Sequence, residues 1–130
     1  MRVAAVALAL CVWDSTAAAH HSFTAEFDIN KPVKLTGTIT MVRWSNPHGW
    51  IYMDVKGEDG KVVNWAFETA AANALYRRGT RPDDFPAGAQ VTIDGYLARN
   101  GTPTAASGKV MFADGRTLTI GAGAVAGEQK

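Results

Sequence analysis

From Val33 the chain alternates between apolar and polar positions. Val33, Leu35, Gly37, Ile39 and Met41 fall on one side, and Lys34, Thr36, Thr38 and Thr40 on the other. That period of two is the signature of a half-buried β-strand. Gly37 would weaken a flat strand, so its position predicts a sharp bend or a bulge. The residues before this stretch, His20 to Asn30, are of mixed polarity and read as an ordered arm anchored by Phe23 and Phe27. Ser45-Asn46-Pro47-His48-Gly49 is dense in turn formers, which places His48 on a connection. Trp50 to Val55 reads as a second strand, Gly57-Glu58-Asp59-Gly60 as a hairpin turn and Val62 to Glu68 as a third strand. The first three strands thus form an antiparallel meander.

The pattern changes over Thr69 to Arg78, where alanines, Leu75 and two arginines favour a short helix. Thr69 is placed to cap its start and Gly79 to end it, while Arg77 and Arg78 suit the negative end of the helix dipole. A loop rich in Pro, Asp and Gly runs from Arg81 to Gly88. Gln90 to Ala98 is a fourth strand with Val91 and Ile93 inside, and Asn100 to Gly108 reads as a flexible connection. Lys109 to Phe112 and Thr117 to Ile120 flank Asp114-Gly115, a strong hairpin signal. The tail 121–130 lacks apolar content beyond Ala and Val125 and reads as disordered. The sum is an all-β chain with one short helix, for which an OB-like five- to six-stranded antiparallel barrel is the expected architecture. An open sandwich of the same strands is the competing one.

The N-terminal residues change this picture by adding an export signal. Arg2, an apolar run from Val3 to Trp13 and Ala17-Ala18-Ala19 read as a cleavable peptide over 1–19. The domain then spans 20–120, and the protein is expected in the periplasm or secreted. Cleavage a residue or two earlier is the alternative, because Asp14 is unusual in such a segment. Cys11 is the chain's one cysteine and would leave with the signal, so the mature protein would hold no disulfide and no thiolate metal site. Lipidation of Cys11 fits poorly, since Leu10 stands where a small residue is expected. The apolar segment is also shorter than the ~20 residues that span a bilayer, and no later segment is longer, so no membrane span is expected.

Of the 130 residues, 13 are Lys or Arg and 12 Asp or Glu, a net charge of +1. Loss of Arg2 and Asp14 with the signal leaves that balance unchanged. A nearly neutral chain with scattered cations offers no electrostatic footprint for nucleic acid. No Gly-x-Ser-x-Gly, phosphate-cradling loop or dinucleotide fingerprint occurs, which argues against a hydrolase or nucleotide enzyme.

Candidate chemistry resides in the three histidines. Cleavage after Ala19 would make His20 the first residue, carrying a free α-amine and an imidazole that can chelate one metal ion. His48 would supply a third nitrogen, and His21 a further ligand or a supporting contact. Amine and imidazole donors in a planar set suit Cu(II), which heads the affinity order of divalent first-row metals. Zinc is the alternative cofactor, with Glu26 or Asp28 completing a tetrahedral N/O set. Equally, a terminal His-His pair can be solvated and His48 can serve only its own turn.

A separate candidate is a ligand surface. Trp44 and Trp50 bracket the Asn46-Pro47-His48 turn and are placed to wall a shallow pocket there. Trp65 shares parity with Val63 and Phe67, which argues for the core. Glu68 is read either as a general acid or base or as a charge favouring the helix N-terminus.

His20-His21-Ser22-Phe23 with Glu26-Phe27-Asp28, Val33 to Thr38, Trp44 to His48, Asn64 to Glu68 and Asn73 to Gly79 form an ordered set of motifs. With Pro86-Ala87-Gly88 and Ala113 to Arg116, the set resembles a family of small exported bacterial proteins of the domain-of-unknown-function 6152 type. The resemblance implies export and a small β-rich domain, and no activity. The chain departs from that pattern after Gly79, where Thr80 follows without an intervening Trp, and at Thr69 to Ala72, where a Gly/Ser/Pro segment is usual. The leading functional reading is a non-catalytic exported domain that binds copper through His20 and His48. A metal-free accessory module binding a small ligand or a partner protein is the second reading, and an oxidative copper enzyme the third.

Overall fold

The computed structural model describes residues 23–122. Residues 1–22, which include the expected signal peptide, His20 and His21, and residues 123–130 of the expected tail lie outside the described residues. One helical turn over 23–26 leads into β1 (Phe27–Arg43), followed by β2 (Trp50–Lys56) and β3 (Val62–Glu68). Helix α1 (Ala72–Arg77) and a 3-10 turn (Pro82–Asp84) then precede β4 (Gln90–Ala98), β5 (Thr104–Phe112) and β6 (Thr117–Thr119). The six strands form one mostly antiparallel sheet in the order β3-β2-β1-β4-β5-β6.

A parallel pairing of β3 with β5, Ala66 to Glu68 against Thr104 to Ala106, closes the sheet into a ring. The expected connectivity of meander, helix and hairpin is therefore present, but closure uses one parallel seam and not antiparallel pairs throughout. β5 serves both neighbours by dividing its length. Its first half pairs with β3 and its second half, Lys109 to Met111, with β6.

Inside the ring lie Ile39, Ile51, Met53, Phe67, Val91, Ile93 and Val110, all essentially without solvent contact. Each such side chain contributes about 1.5–3 kcal/mol relative to exposure. Leu75 of α1 and Phe85 of the following loop plug the same core.

Four details differ from expectation. β1 carries a register shift between Ile39 and Met41. This bulge reverses side-chain parity, so Met41 is 51% exposed and Val42 packs against the core in its place. Gly37 lies apart from the bulge and answers a close approach: a Cβ there would sit 2.3 Å from the Asp54 carbonyl oxygen.

Helix α1 starts three residues later than expected, with Ala71 before its first turn and no side-chain cap from that residue. Thr69 is fully buried and donates its hydroxyl to the Ala70 carbonyl (2.9 Å), so it caps nothing. Gly79, at φ +80°, does end the helix as expected. The stretch expected as a flexible connection over 100–108 is largely strand, because β5 begins at Thr104. There Ala105, Ala106 and Ser107 are buried against β3 and β4. Gly121, expected in the tail, is still docked, its N–H reaching the Gly108 carbonyl at 3.1 Å.

No helix among the described residues is long and apolar enough to cross a membrane.

Candidate binding site

The Asn46-Pro47-His48 turn is anchored from two sides, and the anchors decide where His48 points. On one side it supplies acceptors to the orphan donors of α1. The Ala72 N–H donates to the Ser45 carbonyl (3.0 Å), and the Asn73 N–H to Asn46 Oδ1 (3.2 Å). Asn46, a candidate ligand contact by sequence, thus has its carbonyl oxygen engaged by the helix. On the other side Gly49 exchanges backbone bonds with the β3–α1 connection, donating to the Ala70 carbonyl (3.2 Å) and accepting from the Thr69 N–H (2.8 Å). A Cβ at Gly49 would lie 2.6 Å from Thr69 Oγ1. The Asn46–Pro47 peptide is cis, and the Ser45 hydroxyl donates to the His48 carbonyl at 2.5 Å.

Register then brings a carboxylate to the imidazole. Trp50 pairs with Glu68 across β2 and β3, so the residues just ahead of β2 lie beside the end of β3. His48 Nδ1 is 3.1 Å from Glu68 Oε1, with the histidine side chain 46% exposed and the glutamate only 12%. A carboxylate oxygen accepts, so Nδ1 carries the proton and Nε2 is left to present a lone pair when the ring is neutral. Burial pushes the Glu68 carboxyl above its ordinary range, with a smaller raising contribution from Glu26, while His48 pulls it back down. Glu68 therefore serves His48 and not the helix terminus.

A cavity of about 1070 Å³ opens beside this pair, lined by His48, Glu68, Trp50, Phe23, Glu26 and Phe27 among others. Its far wall is the β4 end and the start of β5, from Ala98 to Asn100 and then Thr104, Ala106 and Ser107. Ser107 is buried and donates its hydroxyl to the Glu68 carbonyl (2.6 Å), which fixes the end of β3 against β5. The helical turn 23–26 is held over the cavity by Arg99. Its backbone N–H donates to the Glu26 carbonyl (2.8 Å) and its Nε to the Thr24 carbonyl (2.7 Å). Asp28 meets Arg99 Nη1 at 3.6 Å, and a tilted contact of the Phe23 ring with buried Phe27 (5.4 Å between centroids) completes the anchor.

The two tryptophans flanking the turn diverge. Trp50 lines the cavity, whereas Trp44 packs against the core and against Phe85 at 5.6 Å. The bulge in β1 accounts for Trp44, because it shifts Val42 and Trp44 to the core side. Trp65 also packs on the core beside Phe67, as its parity implies.

Among the described residues no group of three or more His, Cys, Asp and Glu side chains is arranged to hold a metal ion. His48 is the one candidate metal ligand from the histidine set within them. Glu26 shares the cavity with His48, while Asp28 is committed to Arg99 and to the Asn30 N–H (3.0 Å).

The sequence model of a family of unknown function, DUF6152, matches residues 8–107. The chain belongs to that family. The match spans the whole of the meander, α1 and β4, and reaches into β5 as far as Ser107, so it includes every described residue named in the cavity except Ala122. Family membership assigns no activity. No curated protein and no solved structure matches the chain.

The raised carboxyl has a consequence for stability. Folding strengthens proton binding at Glu68, so this group favours the fold most below its unfolded pKa and loses that contribution as pH rises through its higher folded value. Glu68→Gln removes the titration. The difference in melting temperature, variant minus wild type, is expected to be more positive at pH 7 than at pH 3.5. Thermal unfolding followed by circular dichroism at both pH values measures it, and an unchanged or reversed difference would contradict the burial-driven shift.

Proposed function

We propose that this is an exported, non-catalytic protein that binds a transition-metal ion, copper, between its processed N-terminus and His48. Export to the periplasm or outside the cell belongs to the proposal, because it supplies the processing that makes His20 terminal. In this reading the His20 α-amine and imidazole chelate the ion, His48 Nε2 provides the third nitrogen, and His21 is a further ligand or a supporting contact.

One observation carries the reading: Phe23 and His48 line the same cavity. His20 precedes Phe23 by three residues, a reach of up to about 10 Å of extended chain. A chain end within that reach of Phe23 can meet the histidine of the turn, which supports the reading. The α-amine, with an ordinary pKa of about 7.7–8.0, gives up its proton at little cost when a metal binds. The Glu68–His48 pair supports the same reading, since a metal-bound imidazole commonly donates its other N–H to a carboxylate that fixes its tautomer and orientation.

Glu68→Gln keeps the shape of the side chain and removes its charge. The expected result is copper affinity lowered by about 10–100-fold. Competition of the processed protein against a chromophoric chelator reads this directly, with circular dichroism showing that the fold is retained. Unchanged affinity would mean that the carboxylate does not support a metal-bound His48.

A second reading, a metal-free accessory module for a small ligand, is favoured by the size and aromatic lining of the cavity around Trp50.

A further inference from the structure

The cavity beside His48 has more room, and more chemistry, than a metal ion uses. Its volume is about 1070 Å³, just above the roughly 300–1,000 Å³ that encloses a small organic molecule. Phe23, Phe27 and Trp50 provide aromatic surface, and Ala98 and Ala106 a flat apolar far wall. Against this surface stand two carboxylates, Glu26 and Glu68, close enough for Glu26 to help raise the Glu68 pKa.

The charge left to meet a ligand is negative. The one arginine of the lining, Arg99, has its guanidinium directed to Asp28 (3.6 Å) and to the Thr24 carbonyl (2.7 Å). His48 gives its Nδ1 to Glu68. No described residue forms an ion pair with Glu26, which is exposed at the rim. Carboxylates that share a cavity are stabilised by an incoming positive charge, and aromatic faces attract the same charge through the ring quadrupole.

We infer that this cavity binds an organic cation, an ammonium group carried on an apolar or aromatic body. The ammonium lies between Glu26 and Glu68, where it donates hydrogen bonds to both, and the apolar body lies along Trp50 and Phe23. An anionic ligand fits poorly, because it would face both carboxylates while Arg99 is held by Asp28. The inference does not require a bound metal, since every group it uses is a described residue of the cavity wall.

Three probes of one shape separate charge from apolar fit: 2-phenylethylammonium, 2-phenylethanol and phenylacetate. Each is titrated into the processed full chain at pH 7.5, with a chelator present to keep the protein metal-free. Binding is read from amide chemical-shift changes. The expected result is that the ammonium binds about tenfold or more tightly than the alcohol, that phenylacetate binds weakest, and that shifts concentrate on Trp50, Glu68 and Ala106. The double variant E26Q/E68Q, verified as folded by circular dichroism, should bind the ammonium and the alcohol alike. Should this variant not fold, E26Q alone serves, because Glu26 is exposed; it should reduce the ammonium preference by several-fold. Equal binding of all three probes, preference for phenylacetate, or no binding of any probe at millimolar concentration would overturn the proposal. None of these outcomes bears on copper binding, which is measured without the chelator.

Discussion

Acetylation of the His20 α-amine is expected to weaken Cu(II) binding by more than about a hundredfold, a larger loss than removal of a supporting carboxylate causes. The acetyl group leaves the imidazole in place and converts the α-amine to an amide nitrogen, which does not give up its proton at comparable cost, and it supplies no new terminal amine. Two of the three proposed donors belong to His20, so this change strikes the six-membered chelate itself. His48→Ala is expected to cost a comparable factor by removing the third nitrogen. Glu68 then loses the partner that offsets its burial, so the stability of this variant is measured in parallel. The paramagnetic resonance spectrum of the Cu(II) form should show nitrogen couplings in the native protein that simplify in both variants. If the native protein, the acetylated protein and His48→Ala share one affinity and one spectrum, the histidines are bystanders. Loss in one variant only would reassign the site to the surviving arm plus ligands such as His21 or Glu26.

Much of the fold can be read from the sequence because the strands are short-range partners. The Gly57–Gly60 turn and the alternation on both sides set the β2–β3 register, and counting outward from that turn places Trp50 opposite Glu68. The approach of His48 to Glu68 follows from that count and from the position of the histidine two residues ahead of β2. Proximity in sequence to α1 suggests a helix-terminus charge at Glu68, but the hairpin brings this carboxylate to His48.

Other features depend on long-range packing that local pattern does not encode. The bulge after Ile39 turns Met41 outward and Trp44 inward, and period-two counting from Val33 carries no sign of it. The β5 start at Thr104 was hidden by a run of small residues, Ala105-Ala106-Ser107. These are small because they are crowded between β3 and Gly95 of β4, and not because the segment is loose. The same crowding forms the far wall of the cavity, so the cavity was the least legible part of the molecule. Two of the histidines lie outside the described residues, and sequence position alone carries their roles.

Gly95→Ala is expected to be the most destabilising small substitution in the chain, by about 3 kcal/mol or more. Gly95 pairs with Ser107 across β4 and β5, next to a register shift between Ile93 and Gly95. An added Cβ would lie 2.0 Å from the Ala106 carbonyl oxygen and 2.9 Å from its carbon. Neither atom is the movable end of a side chain, so relief requires the strands to part. Parting them also disturbs the β3–β5 seam, because Ala106 pairs with Glu68 in it and Ser107 donates to the Glu68 carbonyl at 2.6 Å. The ring would open along β5 at the place where the cavity is built, so ligand or metal binding should fall together with stability. Gly115→Ala provides the contrast. Its φ of +88° makes the change strained, but no atom lies within 4 Å of the added carbon, and the cost should stay near 1 kcal/mol. Urea denaturation of the three proteins decides the matter. If Gly95→Ala unfolds at the same midpoint as Gly115→Ala, β4 and β5 are not in the close approach on which the cavity wall depends.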